Sequence, residues 1–574
     1  MAIYLIVCLV FFQLCNTKAD FFHTQSRIVL APNVQSTKDF GYSISYFNES
    51  LLVGAPHANL NGAVYICPLD IVPESNSIEC SDGGINLNDY ADEFDRSSYP
   101  SISFCLGTSL AATKSYFVSC APLWAETLKR PRELQGAFGT CFASTEHNYT
   151  KTNRLYEHFE KSLESNLSKD VPTQLDIYGT FGWSTLIDEV NKIIVFAKPA
   201  GNQESSRISY LPIGNVTAYP KLVKDIDNAN DKLLRFFHYK GRALTSGTFF
   251  KGYNTSIAFS MENDKRMGAV GFLSYNADSD TLSVIKDPST GKTLQFKQDK
   301  VGSMFGSALH ATDIDNDTYS ELFVGAPGLA CWVGSYEVGA VYIYNGGEAT
   351  TKTNKEPHIC GKEDGSRFGT AIASADLDDD DFPELFVSAP YENTGKGTVY
   401  VIPGREIIER SLSRRKNENI LFIKDLKTQE IKVSEFEAFG FSLHVIPAFG
   451  RTQLNALAVG SPYSERVVIY RSIPSITVTV NIVEEQVVRE SHDNFTVPVR
   501  VGIIYPRSVN VTAKIILRVS LASNMFAKID GNSEYEWNIT DKKPFYFYNV
   551  VVKMNDHDPH TYKFKAEVKT KEFQ

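Results

Sequence analysis

The apolar and polar positions of this chain alternate in short runs, and the runs recur as one larger pattern. Each copy has an apolar or aromatic residue near a glycine, a short strand pattern and an apolar run, usually with a closing turn that ends in proline. The leading glycines are Gly41, Gly107, Gly182, Gly241, Gly306, Gly369 and Gly440. A repeat with a nearly constant spacing predicts an array of similar small units.

The apolar runs have the composition of β-strands. Leu322–Val324 and Gly339–Tyr344, for example, are short, rich in β-branched or aromatic residues and bounded by turn residues. Such small units cannot each bury a core, but a closed radial arrangement buries both faces of every unit. The sequence therefore predicts an all-β fold with a seven-bladed β-propeller over residues 20–472. The fourth repeat lacks the closing turn and counts as a blade by its spacing.

Two of the repeats contain an acidic loop that the shorter repeats lack. Carboxylates stand at positions 1, 3, 5 and 9 of each loop: Asp313, Asp315, Asp317 and Glu321, then Asp376, Asp378, Asp380 and Glu384. The backbone carbonyls of Tyr319 and Phe382, at position 7, can add oxygen ligands. Oxygen donors without His or Cys favour Ca²⁺. The alternative is a solvated acidic turn, but two copies at the same place in a repeat favour two Ca²⁺ sites.

The acidic loops are interpreted as insertions of six residues into a hairpin that the first two repeats make without them. Thr318 and Asp381 stand where a left-handed bend is expected. Thr318 is the worse of the two because it is β-branched, and the second loop also has the extra acids Asp379 and Asp381. We therefore expect the second loop to bind Ca²⁺ more tightly than the first.

The pattern changes after residue 472. Alternating runs such as Val509–Val519 and Tyr546–Val552 are typical of an antiparallel sandwich. Residues 473–574 are therefore predicted to form an Ig-like β-sandwich, either complete or the start of a larger one.

Charge and the first residues indicate the compartment. The formal net charge of −10 disfavours nucleic acid as a partner. Residues 1–19 have the apolar run of a secretory signal peptide, and no later run is long enough for a membrane anchor. We therefore expect the chain on the extracellular side of the plasma membrane if it belongs to a longer receptor, and secreted if it ends at Gln574.

Cysteines and glycosylation motifs fit that compartment. Sequence proximity favours Cys67 with Cys80 and Cys120 with Cys141. Cys331 with Cys360 is the remaining pair and Cys105 is left over, although sequence alone does not fix the connectivity. Asn-x-Ser/Thr motifs predict glycans at Asn48, Asn148, Asn166, Asn215, Asn254, Asn494, Asn510 and Asn538. The motif at Asn316 lies inside an acidic loop, so that residue is expected to be unmodified.

The repeats resemble the ligand-binding head of an integrin α subunit over residues 20–472, and the sandwich resembles its thigh domain. Phe138–Phe142 after Ser119–Pro122 looks like the second blade of that family, disulfide included. The resemblance implies a non-enzymatic adhesion receptor that pairs with an integrin β subunit. It also implies an extracellular-matrix or cell-surface ligand at the α/β seam, with the Ca²⁺ loops on the opposite face. The inserted ligand-binding domain of some α subunits is absent between Pro122 and Gly182.

The family also holds a basic residue of the β subunit in an aromatic cage. Tyr42, Phe142, Trp183 and Phe441 match positions of that kind. Arg242 and Ser307 depart from it. Cation–π contacts make the cage plausible, and ordinary packing between blades is the alternative for each ring.

Two other classes of function compete with the receptor. Secreted phospholipase D enzymes that act on glycolipid anchors have similar propellers, but the eleven histidines here show no paired metal-ligand spacing. A soluble secreted propeller that binds a matrix ligand alone is the second alternative, and co-expression with a β subunit distinguishes it from the receptor.

Overall fold

The structure is a computed structural model in which the chain is described in segments. The described residues are 21–34, 37–59, 61–69, 76–85, 103–128, 134–144, 153–155, 179–199, 207–213, 220–223, 239–262, 267–287, 291–298, 300–347, 358–378, 380–412, 420–449, 454–472, 477–482, 488–489, 494–504, 513–521, 527–530, 534–539, 545–554 and 564–573. The predicted signal peptide and the motifs at Asn148, Asn166, Asn215 and Asn510 lie outside them.

The predicted all-β fold, a propeller followed by a sandwich, is confirmed. Blade one contains β2 (Ser43–Phe47), β3 (Ser50–Ala55), β4 (Ala63–Pro68) and β5 (Ser77–Asp82). Blade two contains β6 (Ser109–Ala112), β7 (Phe117–Ala121), β10 (Thr140–Ser144) and β11 (Asn153–Leu155). Blade three contains β12 (Ser184–Asp188), β13 (Ile193–Lys198), β14 (Arg207–Pro212) and β15 (Lys221–Leu222). A separate hairpin of β8 (Ala125–Leu128) and β9 (Leu134–Ala137) is inserted in blade two.

The remaining blades follow in chain order. Blade four contains β16 (Tyr239–Gly247), β17 (Ser256–Glu262), β18 (Gly268–Asn276), β19 (Thr281–Val284) and β20 (Gln295–Lys297), and blade five contains β21 (Ala308–Thr312), β22 (Glu321–Ala326), β23 (Ala340–Tyr344) and β24 (Ile359–Cys360). Blade six contains β25 (Ile372–Ala375), β26 (Glu384–Ala389), β27 (Thr398–Ile402) and β29 (Gln429–Lys432). Blade seven contains β30 (Ser442–Phe449), β31 (Leu454–Ser461) and β32 (Arg466–Ser472). A short strand, β28 (Leu421–Phe422), pairs in parallel with β24 and so joins blade six to blade five.

The ring is closed by the first strand of the chain. β1 (Phe22–Pro32) pairs antiparallel with β32 and serves as the fourth strand of blade seven. On its other edge it pairs in parallel with β5 of blade one. Blades one and seven therefore form one continuous sheet. Because this closure joins residues more than 400 positions apart, no local pattern in the sequence predicts it.

The fourth blade is more regular than its sequence indicates. It has four strands in order, with β20 as an additional strand beside β18. Gly241 does not precede its first strand but lies within β16, where the pairing register with β17 shifts between Lys240 and Leu244. A left-handed φ of 81° at Gly241 accompanies this irregularity, which only glycine adopts at little cost.

Neighbouring blades are held together by buried apolar side chains. Between blades four and five, Phe296 stacks on Tyr344 with ring centroids 4.2 Å apart, and Phe272 packs against Phe296 at 5.1 Å. Ile314 belongs to the core cluster between blades five and six, and it is fully buried inside the first acidic loop. The acidic loop is therefore anchored in the core and is not a free surface turn.

The structure forms three disulfides. Cys67 is bonded to Cys80 and Cys120 to Cys141, the pairs that sequence proximity favours. Cys331 is bonded to Cys360, which confirms the remaining pair named from the sequence. Cys105 is a free, buried cysteine, and burial raises the pKa of its thiol.

The sandwich begins after the last propeller strand ends at Ser472. Its first sheet contains β33 (Thr477–Ile482), β34 (Val488–Arg489), β35 (Asn494–Ile504), β37 (Ala527–Asp530) and β39 (Phe545–Met554). Its second sheet contains β36 (Ala513–Leu521), β38 (Glu534–Ile539) and β40 (Phe564–Phe573). Two antiparallel sheets are the arrangement expected of an Ig-like fold.

Helical structure is limited to single turns among the described residues. These turns are Glu392–Gly395, Gly404–Ile407 with the π-turn Ile408–Leu412, Ile423–Asp425 and Pro462–Ser464. Across the described segments, no helix has both the length and the apolar character needed to span a bilayer.

Two histidines of inner strands make the propeller sensitive to acid. His444 Nε2 accepts a hydrogen bond from the backbone N–H of Tyr46, and His310 Nε2 lies 2.7 Å from Ser374 Oγ. Burial lowers the pKa of each imidazole to about 4. A depressed histidine pKa favours the neutral ring in the folded state, so stability is lost as pH falls from about 6.5 towards 4.

We expect His444→Gln to flatten this acid loss. At pH 5 the wild type should have lost about 2 kcal/mol of unfolding free energy through His444, and the variant should not lose that share. Urea unfolding at pH 7 and pH 5 measures both proteins under the same conditions, so the other titrating groups cancel. Equal losses in the two proteins would contradict the prediction.

Candidate metal sites

The two acidic loops are insertions into hairpins of the same register. In blade one, Phe47 pairs with Ser50 across the two-residue turn Asn48-Glu49. In blade five the same closing pair is Thr312 with Glu321, and residues 313–320 form the connection. In blade six it is Ala375 with Glu384, around residues 376–383. Both loops therefore extend from the ends of paired strands, which fix their first and ninth positions.

Backbone N–H groups fold the blade-five loop around its first carboxylate. Asp313 accepts hydrogen bonds from the N–H groups of Asp317 at 3.1 Å and Thr318 at 2.8 Å. Glu321, which is 1% exposed, accepts from the N–H of Ile314 at 3.0 Å and of Gly346 at 3.1 Å. Carboxylate oxygens of Asp313, Asp315 and Glu321 lie within 4.8 Å of one another.

The blade-six loop repeats this arrangement. Asp376 accepts hydrogen bonds from the N–H groups of Asp380 at 3.3 Å and Asp381 at 3.1 Å. Glu384 accepts from the N–H of Leu377 at 2.8 Å. Asp376, Asp378 and Glu384 form the second cluster of carboxylate oxygens within 4.8 Å. The structure thus brings together the predicted ligands at positions 1, 3 and 9 in both loops.

The carboxylates at position 5 are turned to other partners. Asp317 accepts a hydrogen bond from the N–H of Tyr319 at 2.8 Å, and Asp380 accepts from the N–H of Phe382 at 2.9 Å. Neither residue belongs to the carboxylate clusters. Asp317, Asp380 and the carbonyl oxygens of Tyr319 and Phe382 remain predicted ligands.

The clusters have the electrostatics of cation sites. Burial, with Asp315 and Asp317 nearby, raises the pKa of Glu321 to about 7. Burial and the adjacent Asp378 raise the pKa of Glu384 well above its ordinary value. A buried oxygen of Asp315 has no hydrogen-bond partner among the described residues. Three carboxylates gathered within 4.8 Å fit a hard divalent cation such as Ca²⁺.

Comparison with known proteins places these loops in a recognised repeat. A family model described as FG-GAP repeat matches residues 305–344 and 368–402, which include both loops. Integrin alpha-PS3 of Drosophila melanogaster is 24% identical over 81% of this chain and 44% of its own length. Integrin alpha-3 of Cricetulus griseus is 23% identical over 87% of this chain and 44% of its own length. Integrin alpha-5 of Xenopus laevis is 22% identical over 64% of this chain and 35% of its own length.

The chain is similar to the head region of integrin α subunits. It spans less than half the length of these relatives. These matches confirm the resemblance to the integrin α head that was noted from the sequence.

Three of the four predicted cage residues lie at the opposite end of the inner strands from the acidic loops. Tyr42, Trp183 and Phe441 each directly precede the first strand of a blade. The rings of Tyr42 and Phe441 are neighbours, with centroids 5.0 Å apart. Arg242, which departs from the cage pattern, approaches Glu262 at 3.5 Å. The structure thus groups Tyr42 with Phe441 on one end of the ring.

Phe142 does not belong to that surface. Its side chain is fully buried in the core cluster between blades one and two, 6.3 Å from the ring of Trp124. A ring without exposed area cannot contact a partner, so packing between blades is its role. Its assignment as a partner-binding residue is wrong because Phe142 lies within β10, where every residue is buried.

The glycosylation motifs that fall on the described propeller are on hairpin connections. Asn48 and Asn254 are both exposed, the first in the two-residue turn of blade one and the second between β16 and β17. Asn494 and Asn538 lie in sandwich strands. Glycans at all of these positions remain predictions.

Both acidic loops bend through left-handed residues, as the sequence predicts. Thr318 has a φ of 79° and Asp381 a φ of 67°. A β-branched residue is strained in this region, whereas glycine is not. We expect Thr318→Gly to raise the free energy of unfolding by about 1 kcal/mol. Urea unfolding measures it, with Thr281→Gly, in strand β19, as a control that should destabilise the protein.

Proposed function

We propose that this chain is the head of an adhesion receptor α subunit. It pairs with an integrin β subunit and binds an extracellular-matrix or cell-surface protein at the seam between the two. The observation that carries the proposal is the similarity to integrin α subunits across 64–87% of the chain. We propose no catalytic role and an extracellular location.

Tyr42, Trp183 and Phe441 are the residues proposed to meet the β subunit. They share the end of the propeller where each blade begins. Neighbouring aromatic faces at this place can hold a basic side chain through cation–π attraction, which is worth about 0.5–2 kcal/mol depending on desolvation. The pair Tyr42 and Phe441 is the core of the proposed contact, since their rings are already adjacent.

Two Ca²⁺ ions are proposed to brace the other end. Asp313, Asp315 and Glu321 would hold one, and Asp376, Asp378 and Glu384 the other, with Asp317, Asp380, Tyr319 and Phe382 as further proposed ligands. Ca²⁺ would offset the mutual repulsion of the carboxylates gathered in each cluster. Extracellular Ca²⁺ modules work at about 10⁻⁴–10⁻³ M, so the loops would be filled outside a cell.

Co-expression with an integrin β subunit tests the proposal. A stable complex should be recovered by affinity purification and size-exclusion chromatography, and Tyr42→Ala with Phe441→Ala should weaken it. Tyr253→Ala is a matched control, because Tyr253 is 40% exposed but lies on the hairpin connection of blade four, at the acidic-loop end. If the chain is secreted alone, monodisperse and without affinity for any β subunit, the receptor proposal is wrong and a soluble propeller replaces it.

A further inference from the structure

We propose that Arg405 is a built-in counter-cation of the blade-six loop, and that it competes with Ca²⁺ for Asp380. This inference rests on the proposed calcium sites and assigns them a difference: the blade-six loop is partly neutralised by the protein itself, whereas the blade-five loop depends on the metal.

Arg405 makes two contacts with the loop. Its Nε lies 2.6 Å from Asp380 Oδ2, and its guanidinium carbon lies 4.2 Å from the centre of the Phe382 ring. The Asp380 side chain is only 7% exposed. The other Asp380 oxygen accepts the N–H of Phe382. Both carboxylate oxygens at position 5 are therefore engaged by protein groups.

The contacts depend on Gly404, which stands two residues after the third strand of the blade. β27 ends at Ile402, and Gly404 then lies so close to the loop that a Cβ there would be 2.6 Å from the carbonyl oxygens of Phe382 and Pro383. This close approach places Arg405 directly over position 7 and beside position 5. A larger residue at Gly404 would push Arg405 away from the loop.

Blade five has the same backbone arrangement without the cation. There Gly346 lies against Tyr319 and Ser320 in the same manner, and the next residue is Gly347. A Cβ at Gly347 would lie 3.0 Å from the Tyr319 ring, but glycine itself brings no charge. Asp317 is exposed and has no ion-pair partner among the described residues. At this equivalent position blade five has the uncharged Gly347 and blade six has Arg405.

The positive charge of Arg405 opposes the binding of Ca²⁺ to the blade-six loop. A unit charge about 5 Å from a divalent ion costs about 1.7 kcal/mol even at the dielectric constant of water, and salt reduces this. Because Arg405 also occupies Asp380, Ca²⁺ must either displace the guanidinium or bind without that ligand. The extra acids of the blade-six sequence, Asp379 and Asp381, favour tighter Ca²⁺ binding there, and the charge of Arg405 works against it.

The test measures Ca²⁺ affinity of the blade-six loop alone. Glu321→Gln removes the competing blade-five loop, and Arg405→Gln is added to it. Calorimetric titration in 50 mM salt should show Ca²⁺ binding about three- to tenfold tighter than in the Glu321→Gln parent, with a smaller gain in 500 mM salt. The melting temperature in EDTA should fall, because Asp380 loses its only charged partner in the described part of the chain.

Arg410→Gln is the matched control. It removes the same charge from a similarly exposed arginine, which pairs with Glu406 at 3.6 Å instead of with the loop. Equal or weaker Ca²⁺ binding in Arg405→Gln relative to Arg410→Gln overturns the role of Arg405 while leaving the calcium proposal standing. If neither the Glu321→Gln parent nor the wild type binds Ca²⁺, the calcium proposal itself is overturned.

Discussion

The double variant Glu321→Gln with Glu384→Gln is expected to lose the stabilisation that Ca²⁺ gives to this protein. Each glutamate contributes a buried carboxylate to one cluster and fixes the loop through its backbone hydrogen bonds. Glutamine has the same shape and can still accept a backbone N–H, so the hairpins should fold. It lacks the negative charge that a hard cation requires.

The expected effect is large because two sites are lost. With dissociation constants of about 0.1–1 mM, 10 mM Ca²⁺ stabilises the folded state by about 1.4–2.7 kcal/mol for each site. Urea unfolding with 10 mM Ca²⁺ and with EDTA should therefore differ by about 3–5 kcal/mol in the wild type and by almost nothing in the double variant.

Glu189→Gln provides the control for this experiment. Glu189 is exposed on the short hairpin connection of blade three, between β12 and β13, and belongs to neither carboxylate cluster. The control should keep the full Ca²⁺ response. If the double variant responds to Ca²⁺ as strongly as Glu189→Gln does, the metal binds elsewhere and the proposed Ca²⁺ sites in the two acidic loops are wrong.

Gly182→Ala is expected to destabilise the propeller by about 3–4 kcal/mol. The leading glycine of blade three has a φ of 82° and rests on the disulfide of blade two. A Cβ at Gly182 would lie 2.6 Å from Cys120 Cβ and 2.8 Å from Cys120 Sγ, and also too close to Cys141 Sγ. The disulfide cannot move aside, because Cys120 and Cys141 pair within adjacent strands of the sheet.

Gly252→Ala separates steric overlap from backbone strain. Gly252 has a φ of 91°, but a Cβ there would meet nothing within 4 Å. This variant should lose only about 1 kcal/mol, the cost of a left-handed alanine. Urea unfolding of both variants measures the difference. Similar losses in the two would show that close packing of blade three on the blade-two disulfide contributes little.

Part of this structure could be predicted because it depends on local spacing. Positions 1, 3 and 9 of each acidic loop converge because paired strands fix both ends of the hairpin. The left-handed bends at Thr318 and Asp381 follow from the same tight curl. The period of the glycines and apolar runs likewise determined seven blades, since each unit needs its neighbours to bury its faces.

Other features depend on residues that are distant in the sequence. β1 completes blade seven only because the ring brings the start of the propeller to its last strand. The solvent exposure of an aromatic ring depends on its place relative to the strands. Phe142 is buried within β10, whereas Tyr42 precedes β2 and is only partly buried. Arg405 lies far outside the motif that it neutralises.

The sequence by itself thus determined the fold class and the two carboxylate loops, because strand periodicity and ligand spacing are local properties of the chain. Only the tertiary structure decided how the ring closes, which aromatic rings are exposed, and which cation faces Asp380. These outcomes depend on distances between elements that the propeller sets when its blades pack together.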